Sequence, residues 1–213
     1  DQGGTGLEFS TLATAAQIRK TIEAVQGRGI AAELVDTREQ ALARLQALIP
    51  AGSSVMTGAS LTLKEIGFEE QLISNTHPWR NLKAEIVAEK DPVTQTLLRR
   101  QGALADYFLG SVHAVAQTGE LVIASLTGSQ LGPYAFTASN VIWVVGAQKI
   151  TPSLDDAIRR VREYVLPHED KRMRESSGGR MGSGIGKLLI IQQEAPFLNR
   201  KLTLLFVNQA VGD

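Results

Sequence analysis

Segments of strand chemistry and segments of helix chemistry take turns along the whole chain. That alternation is the strongest restriction on what it can become. Strand–helix–strand units bury their apolar strands in a largely parallel sheet and lay helices over its faces, which is the α/β class. The clearest buried strand is "VIWVVG" (141–146). "IAAELVD" (30–36), "SSVMTG" (53–58), "LLII" (188–191) and "LTLLFV" (202–207) add further strands. "ADYFLGSVHAVA" and "ELVIASL" are two apolar segments joined by "QTGE" (117–120). Between them run the helices. In 12–27, Ile18, Ile22 and Val25 recur at helical spacing. Thr37 and Gln40 form a capping box for 38–48. Ser60 opens a helix that Gly67 closes, and Asp91-Pro92 starts one that runs to about Arg100. Ser153 caps a helix through Ile158, Val161 and Val165, which Pro167 is expected to end. With no internal repeat or long linker, 1–213 reads as one domain, its first 49 residues a helical portion packed on the rest.

Composition then removes whole classes of function. Twenty-two basic residues balance 22 acidic ones, so bulk charge recommends neither nucleic acid nor an acidic membrane as partner. The chain has no cysteine. A disulfide, a thiolate nucleophile, a sulfur-ligated zinc and a protein-held iron–sulfur cluster are all excluded. No apolar run approaches the ~20 residues of a membrane helix. The first residues, "DQGGTGLEFS", have neither a basic nor an apolar leader pattern. A cytoplasmic setting is expected.

The glycine cluster "SGGRMGSGIGKLLII" invites a nucleotide reading and fails it. Met181 stands where the first Gly of a phosphate-binding P-loop belongs, and Leu188 replaces its Ser or Thr. Gly182, Gly184 and Gly186 give G-x-G-x-G leading into a strand, which is not a dinucleotide fingerprint. No nucleotide cofactor is expected. Free backbone amides near Arg180 and Lys187 still suit an anion, while a mobile loop is the plainer alternative. "VMTGASLTL" (55–63) places Thr57, Gly58, Ser60 and Thr62 at a strand-to-helix junction. Open amides there favour carboxylate or phosphate, and plain capping by Ser60 explains the same residues. Thr118-Gly119 makes a tight turn with Glu120 beside it, a carboxylate that is either a nucleophile or base or simply solvated. His113 is the histidine nearest these residues and a candidate base. His77 and His168 complete the set, and no two histidines have the spacing of a metal site, so no metal is expected. "KRMR" (171–174), flanked by Glu169, Asp170 and Glu175, reads as a solvated helix face.

Four stretches together resemble one family. "GSSVMTGASLTLKEIGF", "ADYFLGSVHAVAQTGELVIAS", "NVIWVVGAQKITPSLDDAIRRVREYVLP" and "IGKLLIIQQEAPFLNRKLTLLFVNQAVG" are similar, in order and spacing, to segments of the LUD-domain, or lactate-utilisation, family in its LutC/YkgG branch. The likeness covers about residues 50–213. It implies a Rossmann-like three-layer sandwich of the NagB/RpiA/CoA-transferase type. It also implies an accessory role in L-lactate oxidation to pyruvate beside iron–sulfur redox subunits. Arg200 stands at the place of a characteristic arginine, and Gln117 and Gly128-Ser129-Gln130 depart from an acid and a G-N-R that relatives often carry. No catalytic set carries over. The resulting expectation is a small anionic ligand bound by Thr57, Gly58, Ser60, Thr62, Thr118, Gly119, Arg180, Lys187 and Arg200, with the loop 176–187 folded over them. A stand-alone enzyme on a sugar phosphate or acyl-CoA-like substrate is the alternative. A ligand-sensing or homo-oligomer-forming domain without chemistry is the third.

Overall fold

The computed structural model describes residues 9–213; residues 1–8, most of the stretch read above for a leader, lie outside them. The centre is a sheet of six strands in the order β1 (Ala31–Val35), β10 (Lys201–Val207), β7 (Asn140–Gly146), β4 (Tyr107–Gly110), β2 (Ser54–Thr57) and β3 (Arg80–Asn81). Every neighbouring pair is parallel. The side chains explain why β7 and β10 sit in the middle. Val141, Trp143 and Val145 alternate with Ile142 and Val144, and all five are buried. Neither face meets water, and each Val or Ile so covered contributes about 1.5–3 kcal/mol.

One face, with Trp143, Leu204 and Phe206, packs on α1 (Ala15–Gly27) through Val25 and on a smaller sheet through Val115, Leu121 and Ile123. The other face, with Val144 and Leu205, packs on α2 (Arg38–Leu48), α3 (Leu61–Glu65) and α4 (Phe68–Ser74) through Leu45, Leu63 and Phe68. α5 (Leu82–Ala88) and α6 (Pro92–Gln101) carry the chain from β3 to β4. Helices thus lie on both sides of a parallel sheet, the Rossmann-like sandwich expected. The smaller sheet has the order β8 (Ile150–Thr151), β5 (Ala114–Ala116), β6 (Leu121–Ser125), β9 (Lys187–Ile191). Its outer face, with Ala114 and Val122, is covered by α7 (Leu154–Arg160) and by Val161.

Several local expectations need adjusting. The N-terminal portion is more than helical, because β1 is an edge strand of the main sheet, paired with β10. Pro167 does not end its helix. A π-helical turn over Val161–Val165 intervenes, and α8 (Leu166–Ser176) continues through Pro167. A wider turn carries one residue more per bond, which relieves the clash between a proline ring and the preceding turn. Thr14 and Gln17 form a capping box on α1 that the sequence reading passed over. Among the described residues no helix is long and apolar enough to cross a membrane.

Candidate functional site

Parallel strands end together, so the loops after β2, β4 and β7 rise from one edge of the sheet. That edge is where open α/β sheets bind ligands. A cavity of about 290 Å³ lies there. Ser60 and Thr62 enter it after β2, Ser111 and His113 after β4, and Lys149 after β7. Ser125, at the end of β6, and Gln130, beyond it, line another side. The π-turn residues Val161 and Val165 and the loop residues Ser183–Ile185 close it over.

Lys149 is the least expected occupant. A short 3-10 turn, Ala147–Lys149, leads it off the end of β7, and it is 3% exposed. Its Nζ donates to Thr62 Oγ1 at 3.2 Å, Ser111 Oγ at 3.3 Å and the Val112 carbonyl at 3.3 Å. All three partners are neutral. Burial first, and the Arg160 guanidinium second, push its ammonium down to about 7, against the opposing pull of Asp213 and Glu65. Arg160 is itself wholly buried, donating to the carbonyls of Phe9, His113 and Asp213.

His113 enters the cavity wall in a fixed tautomer. Its Nδ1 accepts from the Ala124 amide at 3.0 Å, so the ring proton belongs on Nε2. No partner for Nε2 exists among the described residues. Burial, then Lys149 and Arg160, push the ring down to about 3. A base needs a pKa nearer the working pH. Held in this tautomer, His113 turns a hydrogen-bond donor, Nε2–H, and not a free basic nitrogen toward the cavity.

The remaining expected residues divide. Ser60 and Thr62 line the cavity, but α3 has only five residues and the Ser60 hydroxyl is used on the Leu63 amide at 3.2 Å. The positive character there comes from Lys149 and not from the helix end. Gly58 packs on the Gln130 side chain, and Thr57 is buried with Lys83 Nζ 3.4 Å from its Oγ1. The glycine loop does fold over the sheet edge. The Ser183 amide donates to Asp170 Oδ1 at 2.8 Å, and Gly186 lies so close to the Leu126 carbonyl that a Cβ would overlap it. Lys187 and Arg180 are exposed and line nothing in the cavity.

Thr118, Gly119 and Glu120 are at the far end of the β5–β6 hairpin from His113, roughly 15 Å along the strand. Arg28 holds them there, donating to the Thr118 carbonyl and to Glu120 Oε1, each at 2.7 Å. The Thr118 hydroxyl donates to the other Glu120 oxygen. Glu120 is thus a structural carboxylate. Arg200 is structural too. Its five N–H groups are used on the carbonyls of Ala138, Ala135, Pro133 and Tyr134 and on Glu194 Oε2. Neither belongs to the cavity, because each turn and strand end they serve lies elsewhere.

His77 stacks on Trp79 and His168 bonds the Tyr164 carbonyl, apart from the cavity. Among the described residues no group of three or more His, Cys, Asp or Glu could hold a metal ion. The "KRMR" helix face is laced by Lys171–Glu175, Arg172–Glu169 and Arg174–Asp170 pairs. The sequence reading missed Lys149 and Ser111. A lone lysine three residues beyond the most apolar strand was the available signal.

The sequence profile of the LUD domain matches residues 18–193. The crystal structure of a DUF162-family protein from Deinococcus radiodurans superposes with a TM-score of 0.54 at 14% identity, covering 93% of this chain and 100% of that one. At that identity the likeness shows the fold alone. No curated protein matches the chain.

Proposed function

This chain belongs to the LUD-domain family, a family linked to lactate utilisation, and we propose that it is a LutC/YkgG-type accessory subunit in L-lactate oxidation to pyruvate. In this reading 1–213 is a single LUD-type unit working in the cytoplasm. A chain without cysteine leaves iron–sulfur chemistry to partner subunits. Its own part is to hold a small carboxylate at the strand ends. The observation that carries this is Lys149, a buried cation in a cavity wall whose bonded partners are all neutral oxygens. A carboxylate would take a charge-assisted hydrogen bond from Nζ and a second from His113 Nε2–H. Gln130 and Ser60 line the same cavity and would set its orientation. Arg180 and Lys187, exposed on the covering loop, raise the local concentration of anions without touching the ligand.

Titration calorimetry with L-lactate and with pyruvate tests the site. Binding by the intact chain and its loss in Lys149→Met are expected; no heat with either acid would sink the reading. A pull-down from lactate-grown cells should recover iron–sulfur subunits. If phosphosugars or CoA esters stabilise the protein thermally and the acids do not, the stand-alone enzyme reading replaces this one. A ligand at about 100 times its Kd should add ~2.7 kcal/mol.

A further inference from the structure

We infer that Lys149 captures a 2-oxo acid covalently, its Nζ forming an imine with the ligand's carbonyl carbon. This rests on the carboxylate-binding reading above and goes a step beyond it. Three features of the cavity support the step. Lys149 lines the cavity, and the hydrogen bonds of its Nζ are long ones, 3.2–3.3 Å, to neutral oxygens. Lys83 and Lys171 are matched to the carboxylates of Glu69 and Glu175, and lysines such as Lys64, Lys90 and Lys187 are exposed to solvent. Lys149 has no such ion pair among the described residues. Second, the fixed charge of Arg160 lies behind it, and a desolvated lysine beside another cation is the usual setting of an amine nucleophile. Third, two hydroxyls, Thr62 and Ser111, touch Nζ and can pass protons during addition. Ser111 also donates to the Val112 carbonyl at 3.2 Å, which orients its oxygen as an acceptor toward Nζ.

The chemistry balances without an oxidant or reductant. The amine lone pair attacks the carbonyl carbon, and the carbonyl electron pair moves to oxygen. A proton leaves nitrogen and reaches that oxygen through a neighbouring hydroxyl, giving a carbinolamine. Water then departs as the C=N bond forms, and hydrolysis reverses the sequence. A 2-hydroxy acid has no carbonyl and would be held by charge alone. The site would therefore tell the oxidised acid from the reduced one. The charged groups around Nζ are Arg160 from α7, Glu65 from α3, Asp213 after β10, and Glu169 and Arg172 of α8 at the cavity wall. His113 stays neutral above about pH 5 and adds no charge of its own.

Reductive trapping decides it. The full chain is incubated with pyruvate and cyanoborohydride and then mapped by peptide mass spectrometry. The expected result is one adduct per chain, on Lys149, suppressed by excess L-lactate and absent with L-lactate alone. With pyruvate saturating at each pH, its initial rate should rise about tenfold from roughly pH 6 to roughly pH 8, following the free-amine fraction of a group near 7. Lys149→Arg, checked for fold by circular dichroism, should show no adduct at that position. No adduct on Lys149 while calorimetry still reports pyruvate binding overturns the imine and leaves the carboxylate site standing. No binding of either acid overturns both. Adducts spread over surface lysines at the same level in Lys149→Arg also overturn the imine.

Discussion

Two buried cations sit on neighbouring strands of the same sheet and do opposite things. Arg200 immediately precedes β10 and its side chain is 5% exposed; Lys149 follows β7 and is 3% exposed. Because β7 and β10 are parallel, the two lie at opposite edges. At Arg200 every N–H has an acceptor in the protein, and one acceptor is a carboxylate that is 8% exposed. At Lys149 the acceptors are neutral and the cavity is open to a ligand. Depth of burial does not separate a structural cation from a binding one. The charge of the acceptors does: Arg200 has a carboxylate among them, and Lys149 has only neutral oxygens.

The largest expected effect tests the structural member. Arg200→Met would leave four carbonyls short of a donor and Glu194 unpaired, with Oε1 of that residue already lacking a partner among the described residues. Removing one side of a buried pair costs about 3–5 kcal/mol. For a chain of this size that is on the order of 10 °C in Tm. Thermal and urea denaturation measure it. A loss near zero would mean that Arg200 is not the knot described, and the contrast with Lys149 would fail.

Next in size is Lys149→Met, where stability and binding should part. The folded pKa of Lys149 lies below the ordinary 10.5, at about 7. The unfolded chain therefore binds the extra proton between those values, and stability falls as pH drops from about 10 through 7. Removing the amine takes away that cost. The variant should match or exceed the wild type in Tm near pH 6 and lose the advantage toward pH 10, while acid affinity drops at least about tenfold, the loss of one charge-assisted bond. The L-lactate affinity of the wild type should itself weaken as pH rises through about 7, because the anion needs the ammonium form. A variant as unstable at pH 6 as Arg200→Met would make the two cations equivalent.

The same pair shows what the sequence revealed. The sheet was legible because β7 and β10 are apolar on both faces, and few other structures accommodate such runs. The caps at Thr37, Ser60, Asp91 and Ser153 were legible because capping is local. The site was half legible. Ser60, Thr62 and the covering loop follow from position at a strand end, but Lys149 depends on having no carboxylate among its hydrogen-bond partners, a long-range fact. Arg200 and Glu120 looked functional for the converse reason. Their partners, Pro133–Ala138 and Arg28, lie more than 60 residues away in the chain, and no spacing rule connects them. Pro167 misled because a proline normally breaks a helix, and only the neighbouring π-turn makes room for it.

The smallest expected effect concerns the hairpin tip. Arg28 and Glu120 form a partly exposed pair, 26% and 12%. Glu120→Gln keeps the shape and one acceptor oxygen, so a loss of about 1 kcal/mol or less is expected, with L-lactate affinity unchanged. The unchanged affinity is the informative half. The tip and the cavity are joined by the two short strands of the hairpin, β5 and β6, whose central residues are locked in the core. A charge removed at one end of a rigid hairpin, already neutralised there by Arg28, has nothing to transmit to the other. Should the calorimetric affinity fall tenfold, Thr118–Glu120 would have to reach the ligand after all. The hairpin would then be a moving part, and the division between structural and available charge would need redrawing around Glu120.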